Sequence, residues 1–131
     1  MSVVFDTETL LAFYLGEPGG KKVEKRLEKI IEGEIKGYLN IVNLTELYYI
    51  LYRRNPDLAE EKERTLRGYR LEIVPVDDNT LWKEAAKTKA KHALSLADAF
   101  AVATAKAKKA NLLVGQDAEF DDMDVSIERI G

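Results

Sequence analysis

The sequence contains no cysteine, only one histidine, and no long apolar run. Without thiols the chain cannot form a disulfide, a cysteine nucleophile or a zinc–sulfur centre. A membrane-spanning helix needs about 20 consecutive apolar residues, and neither such a run nor a signal-peptide pattern occurs. We therefore expect a soluble, cytoplasmic protein with no membrane partner.

The sequence also lacks an excess of basic residues, an internal repeat and a low-complexity tail. Its 20 Lys and Arg against 23 Asp and Glu leave a net charge of −3. Nucleic-acid-binding domains usually carry a basic face, so this balance predicts modest affinity for nucleic acid. A chain of 131 residues with 46% apolar residues suits one compact core. We expect a single domain over residues 1–131.

Short apolar, β-prone segments alternate with amphipathic segments along the chain. The predicted strands are 2–5, 38–42, 71–76, 111–114 and a weak 125–130, and the predicted helices are 7–15, 21–32, 43–53, 58–68, one from 79 onward, and 95–109. Strands that alternate with helices form a parallel sheet through right-handed crossovers, with both faces covered. The sequence therefore predicts a three-layer α/β/α fold with the first strand near its centre.

Four acidic residues stand where an apolar stretch ends or a helix begins: Asp6, Glu46, Asp98 and Asp117. In open α/β sheets, ligands bind beyond the carboxyl ends of the strands, where strand order reverses. We therefore expect the four carboxylates to meet at one edge. Their mutual repulsion would raise their pKa values unless a cation neutralised them. Oxygen ligands, with no cysteine and one histidine, favour Mg²⁺ or Mn²⁺ over Zn²⁺.

Each of these acids also has an explanation as a helix cap. The stretches Asn43–Glu46 and Ser95–Asp98 match the capping box, in which the third helical residue bonds back to a backbone N–H. Asp6 and Asp117 are equally suited to be N-caps. The Asp77–Asp78 pair after the third strand is interpreted as capping only. The joint placement of the four acids, rather than any single motif, favours a metal site.

The chain resembles the PIN domain family, and in particular the single-domain PIN ribonucleases of the VapC toxin type. The resemblance covers essentially the whole chain, through Val3-Val4-Phe5-Asp6-Thr7, Asn43-Leu44-Thr45-Glu46, Ser95-Leu96-Ala97-Asp98-Ala99-Phe100 and Leu112-Leu113-Val114-Gly115-Gln116-Asp117-Ala118-Glu119-Phe120. The resemblance implies the strand order 3-2-1-4-5, and it implies that the four acids are catalytic and bind metal. Three neighbouring residues would support them: Thr7, Ser95 and Glu119.

The resemblance implies a Mg²⁺- or Mn²⁺-dependent endoribonuclease that leaves 5′-phosphate and 3′-hydroxyl ends on its RNA substrate. A VapC-type toxin would also imply a VapB-type antitoxin as partner. The Tyr- and Leu-rich helix over 43–53 is nearly apolar all round; core packing explains part of this, and a homodimer or antitoxin-binding surface is the alternative for the rest. Arg53 and Arg54 at its end should project away from the acids. The family commonly carries Thr or Ser two positions before the fourth acid, where this chain has Gly115.

Other functions stay open at this point. A PIN-like module that has lost activity would only bind a partner, and an RNA-processing PIN nuclease would need no antitoxin. A receiver-type signalling domain would need adjacent acids after the first strand and a Lys after a late strand, and neither is evident. A phosphohydrolase with an aspartyl nucleophile would need Asp-x-Asp, where this chain has Asp6-Thr7-Glu8.

Overall fold

The computed structural model describes all residues from Met1 to Gly131 and contains a five-stranded sheet with helices on both faces. The elements in chain order are β1 (Ser2–Phe5), α1 (Thr7–Tyr14), α2 (Gly20–Ile31), β2 (Lys36–Asn40), α3 (Ile41–Arg54), α4 (Pro56–Gly68), β3 (Glu72–Val74), α5 (Asn79–Lys91), α6 (Leu96–Lys108), β4 (Asn111–Val114), a 3-10 turn (Ala118–Phe120) and β5 (Ile127–Arg129). None of the helices has the length and apolar character that crossing a membrane requires.

The sheet is entirely parallel, in the order β3-β2-β1-β4-β5, which confirms the order that the resemblance implied. Strand β1 is central, as expected: Val4 pairs with Tyr38 of β2 on one side and with Leu112 of β4 on the other. The carboxyl ends of β1 and β4 therefore lie side by side. The strand order reverses between these two strands, and this is the place where open α/β sheets bind ligands.

The core has two halves, one on each face of the sheet. Val3 and Phe5 of β1 pack into the cluster under α1 to α4, whereas Val4 packs into the cluster under α5 and α6. Side chains of a strand alternate between faces, so a central strand covered on both sides is apolar throughout. The three-layer α/β/α prediction is confirmed.

Helix α2 packs directly onto β2 at Gly37. A Cβ at this position would lie 2.6 Å from Leu71 Cδ2 and closer still to Ile30 Cδ1. These separations are shorter than real Cβ contacts, and both atoms are the ends of flexible side chains, so a Cβ at Gly37 would make Ile30 and Leu71 shift. Glycine thus allows α2 to pack closely against β2 without that shift.

The boundary between β2 and α3 differs from the prediction. Strand β2 ends at Asn40 rather than at residue 42, and the Asn40 side chain caps α3 by accepting from Val42 N at 2.8 Å. Asn40 Nδ2 also donates to Thr104 Oγ1 of α6 at 3.0 Å. With α3 beginning at Ile41, Glu46 lies in its second turn. The capping-box interpretation of Asn43–Glu46 is therefore wrong, because the cap lies three residues earlier.

Candidate functional site

Asp6 is a buried carboxylate at the carboxyl end of the central strand. It is 1% exposed, and it caps α1 by accepting from Thr9 N at 2.8 Å. Burial is the main cause that raises the pKa of Asp6 to about 7, the hydrogen bond from Thr9 opposes this, and the charges of Asp98 and Glu8 add to it. Asp6 is thus both a helix cap and a rigidly held, poorly solvated acid.

Asp98 is the acid on which the other charges act most. It lies in the first turn of α6, where its N–H donates to Ser95 Oγ at 3.1 Å. This is the serine half of the predicted capping box. Burial raises the pKa of Asp98 to about 6, and the Ser95 hydroxyl partly opposes the rise. The charges of Glu8, Glu46 and Asp117 raise it further. Electrostatic influence of this kind requires that these carboxylates lie near Asp98.

The two remaining predicted acids are more accessible. Glu46 is half-buried on α3, and Asp117 is exposed after β4. Asp117 caps the 3-10 turn by accepting from Glu119 N at 3.3 Å, so its capping prediction is confirmed. Glu119, predicted as a supporting residue, thus reaches Asp117 through its backbone. Glu46 has no capping role, so capping gives no reason for an acid at that position.

Glu8 joins the four predicted acids at this edge. It is exposed in the first turn of α1, and its charge raises the pKa values of both Asp6 and Asp98. Its place two residues after Asp6 was the available signal in the sequence. Yet no group of three Asp, Glu or His side chains takes the arrangement that holds a metal ion. The four-acid ligand set therefore stays a prediction.

The chemistry of the donors fits a hard divalent cation. The charges that raise the pKa of Asp6 are those of Asp98 and Glu8, and the charges that raise the pKa of Asp98 are those of Glu8, Glu46 and Asp117, so all of them come from carboxylates. Carboxylate oxygens are the preferred ligands of Mg²⁺ and Mn²⁺. A cation among these groups would offset the carboxylate repulsion that adds to the effect of burial on both pKa values. The residues present are thus suited to such an ion.

Asn43 connects the helices that carry the acids, and sequence reasoning treated it only as a helix start. Its Nδ2 donates to Ala97 O of α6 at 3.1 Å and to Thr7 Oγ1 of α1 at 3.3 Å. The Thr7 hydroxyl in turn donates to the Asn43 carbonyl at 3.3 Å. Asn43 Oδ1 is buried without a hydrogen-bond partner. Asn43 therefore positions Asp6, Glu46 and Asp98 relative to one another. In the sequence, only its place one helical turn before Glu46 indicated this role.

Arg129 of the edge strand β5 holds the loop that carries the fourth acid. Its Nη1 donates to Gly115 O at 2.8 Å and to Asp117 O at 2.7 Å, and its Nη2 pairs with Asp121. At Gly115 a Cβ would meet only Glu8 Oε2, at 3.8 Å. The position thus has room for a side chain that the sequence does not supply.

A groove of about 520 Å³ lies between α1, the end of α3 and the chain terminus, and it contains Glu8 but none of the four predicted acids. Its lining includes Glu8, Gly115, Arg54 and Ile130. Arg54 thus shares this groove with Glu8 and with none of the four predicted acids. The start of α3, rather than its end, meets the start of α1 through Asn43 and Thr7, so the expectation that Arg54 projects away from the acids stays a prediction.

The family sequence model described as "PIN domain" matches residues 3–126. This chain belongs to the PIN domain family. No curated protein matches the sequence. PIN domains are generally nucleases, which supports a hydrolase that acts on phosphodiester bonds.

Several solved structures share the fold of this PIN domain. VapBC2 from Rickettsia felis bound to a promoter DNA fragment has a TM-score of 0.77 at 16% identity, with 98% of each chain covered. A toxin–antitoxin complex from Klebsiella pneumoniae has a TM-score of 0.71 at 15% identity, with 96% of this chain and 95% of that chain covered. DNA-bound VapBC from Salmonella typhimurium has a TM-score of 0.70 at 17% identity, with 100% of this chain and 99% of that chain covered. At identities this low, the structural likeness shows the shared fold alone.

Proposed function

We propose that this PIN domain is a Mg²⁺- or Mn²⁺-dependent endoribonuclease. The observation that carries the proposal is the position of Asp98, whose pKa is raised by burial and by Glu8, Glu46 and Asp117 at the ligand-binding edge of the sheet. Dense negative charge at that edge suits a divalent cation and, through it, a phosphate ester. Membership of a family of nucleases supports the same reaction.

The acids have different proposed roles in hydrolysis. Asp6, Glu46 and Asp98 would hold the metal ion directly or through water, and Asp117 would complete the ligand set. The bound ion would polarise a phosphate oxygen and lower the pKa of a water molecule. Glu8 is exposed and its charge acts on Asp98, so we assign to it the role of orienting the attacking water and accepting its proton. In-line attack then leaves a 5′-phosphate and a 3′-hydroxyl.

Cleavage of labelled RNA tests this function directly. We expect wild-type protein to cut RNA with Mg²⁺ or Mn²⁺ and to be inactive with chelator. Asp98→Asn keeps the backbone bond to Ser95 but removes a ligand charge, so the rate should fall on the order of 10²-fold or more. Circular dichroism checks that the variant is folded. Equal rates with metal and with chelator would overturn the proposal.

We propose further that the protein is the toxin of a VapBC-type pair with a VapB-type antitoxin. The similar structures are VapBC and toxin–antitoxin assemblies, which supports this role. Helix α3 exposes Ile41, Tyr49 and Tyr52, the last two by 46% and 51%. Exposed aromatic residues of this kind suit an interface with an antitoxin or a second copy. Cytoplasmic location stays a prediction.

The adjacent reading frame and co-purification test the partner. A small DNA-binding-type protein encoded immediately upstream that inhibits RNA cleavage would support the toxin role. Active nuclease with no such neighbour would indicate an RNA-processing PIN nuclease instead. Light scattering of the isolated chain, compared with a Tyr49→Ser/Tyr52→Ser variant, distinguishes a homodimer interface from an antitoxin interface.

Gly115→Ser is expected to raise the cleavage rate about fivefold, because one added hydrogen bond is worth about 1 kcal/mol. The space beside Glu8 admits the side chain, and the serine restores the hydroxyl that the family commonly has two positions before the fourth acid. Gly115→Ala is the matched control, with the same Cβ and no hydroxyl. Initial rates on one RNA measure the effect. Equal rates for the Ser and Ala variants would show that a hydroxyl at this position is not used.

A further inference from the structure

Helix α2 carries a row of lysines without acidic partners. Lys21, Lys25 and Lys29 recur every four residues, so they lie on one stripe of the helix. All three are exposed, and none makes an ion pair or a side-chain hydrogen bond. Glu24 and Glu28 stand three residues after Lys21 and Lys25, a spacing at which opposite charges can pair on a helix, yet no such ion pair forms. The three ammonium groups therefore have no protein partner.

The lysine row borders a concave surface of uniform charge. A cavity of about 520 Å³ is lined by five basic side chains and by no acidic one. The lining consists of Gly19, Lys21, Lys22, Lys25, Arg26, Lys29 and Ile130. Arg26 is held by Glu128 through two bonds of 2.7 Å, and Lys22 Nζ donates to Arg129 O at 2.5 Å. Lys21, Lys25 and Lys29 are left free to bind a ligand.

The acidic residues Glu24 and Glu28 of α2 form a row next to the lysines, about 60° around the helix, because they follow Lys21 and Lys25 by three residues. Burial raises the pKa of Tyr69, and the charges of Glu24 and Glu28 raise it further, so both acids face the end of α4. Charge is thus sorted around α2, with a positive side in a chain of net charge −3. A concave surface of one sign concentrates ligands of the opposite sign.

The basic cavity adjoins the acidic site. Ile130 lines both this cavity and the groove that contains Glu8 and Gly115. Arg129 makes a second connection, because its carbonyl accepts from Lys22 while its guanidinium donates to the Gly115 and Asp117 carbonyls. A polymer that crosses the acidic edge can therefore continue over β5 onto α2.

We propose that the α2 basic surface, defined as Lys21, Lys25 and Lys29, binds backbone phosphates of single-stranded RNA beside the bond that is cut. This inference rests on the proposed nuclease function. The acidic edge repels phosphate except where a cation lies, so affinity has to come from elsewhere on the surface. The lysine row extends about 12 Å along the helix axis, the length of roughly three stacked nucleotides. Lysines act as point charges on phosphates, so they read no sequence.

A triple substitution, Lys21→Gln/Lys25→Gln/Lys29→Gln, tests the surface. The matched control is Lys83→Gln/Lys87→Gln/Lys91→Gln on α5, which has the same spacing, exposure and charge change. Both triples are placed in the Asp98→Asn background to prevent cleavage, and anisotropy measures binding of a labelled RNA of about 15 nucleotides. We expect the α2 triple to bind at least about tenfold more weakly and its salt slope to fall by about 2. The control triple should keep the wild-type affinity and the wild-type salt slope.

Substrate length gives a second readout with the active enzyme. On the RNA of about 15 nucleotides, the α2 triple should raise KM about tenfold and leave kcat unchanged, whereas on an RNA of about four nucleotides the two triples should cleave alike. Thermal unfolding confirms that both triples fold. Equal affinity and salt slope in the two triples would overturn this inference while wild-type cleavage stands. Loss of binding to a poly-glutamate peptide, with RNA binding unchanged, would assign the surface to a protein partner and also overturn it. A wild-type chain that neither binds nor cuts RNA would instead overturn the proposed function.

Discussion

Asp6→Asn is expected to reduce metal-dependent RNA cleavage on the order of 10³-fold, equivalent to about 4 kcal/mol of transition-state stabilisation. Asp6 is the most deeply buried of the acids and is fixed by Thr9 at the end of the central strand. No other carboxylate has that position, so none can replace it. Single-turnover cleavage of labelled RNA with Mn²⁺ measures the loss. Wild-type rates in this variant would contradict the assignment of Asp6 to the site.

The same substitution should stabilise the metal-free protein above neutral pH. The carboxyl pKa is about 7 in the folded protein and 3.8 ordinarily, so the native state binds the extra proton between these values. Stability from this group is fully present below about pH 3.8 and is lost as the pH rises through about 7. The rise of the Asp6 pKa from 3.8 to about 7 corresponds to a loss of at most roughly 4 kcal/mol in the free energy of unfolding. Asn keeps an oxygen acceptor for Thr9 N and carries no charge.

Urea unfolding with chelator, at about pH 5 and about pH 8, measures this effect. The control is Asp78→Asn, because Asp78 also caps a helix, accepting from Thr80 N at 2.9 Å and from Leu81 N at 3.1 Å, but it is exposed. We expect the Asp78 variant to cleave RNA normally and to gain no stability at the higher pH. If both variants changed stability equally, burial of the Asp6 charge would not be costly.

Divalent metal is expected to stabilise the wild-type protein strongly at about pH 8 and weakly at about pH 5. Saturation at about 100 times Kd adds about 2.7 kcal/mol, which is roughly 5–10 °C in Tm for a chain of this size. The pH dependence follows because protons compete with the ion once the pH falls below the pKa values of Asp6 and Asp98, about 7 and about 6.

Thermal unfolding with Mg²⁺, Mn²⁺ or chelator, together with calorimetric titration, measures this stabilisation. The Asp6→Asn variant should show little of it, and Asp78→Asn should retain all of it. An absence of any metal effect on the wild-type protein at both pH values would favour a PIN domain that binds a partner without cleaving RNA.

The sequence predicted the parts of the fold that follow from local pattern. Strands β1 and β4 were placed correctly because a parallel strand buried on both faces is a short, continuous apolar run. The end of β2 was misplaced by two residues, because Ile41 and Val42 are apolar and β-branched and so continue the strand pattern. The structure ends the strand at Asn40, whose side chain caps α3 and also donates to Thr104, a residue far away in sequence.

For the acidic site, too, some residues follow from local sequence pattern and others do not. Asp6 and Asp117 follow from their strands, and Asp98 follows from the Ser95 cap. Glu46 was proposed with the wrong local explanation, since it lies in the second turn of α3. Asn43 was missed as a link because its partners come from α1 and α6, and only the folded chain brings these helices together.

The contacts of Arg129 mean that two of the acids depend on parts of the protein with different local stability. Asp6 follows the central strand, whose amides should exchange with solvent only on global unfolding. Asp117 is held by β5, a three-residue edge strand paired on one side, which should open at much lower free energy. Slow hydrogen exchange at Val4 and fast exchange at Arg129 would reveal this gradient. Opening of the edge alone would then displace one acid while the rest of the fold stays intact.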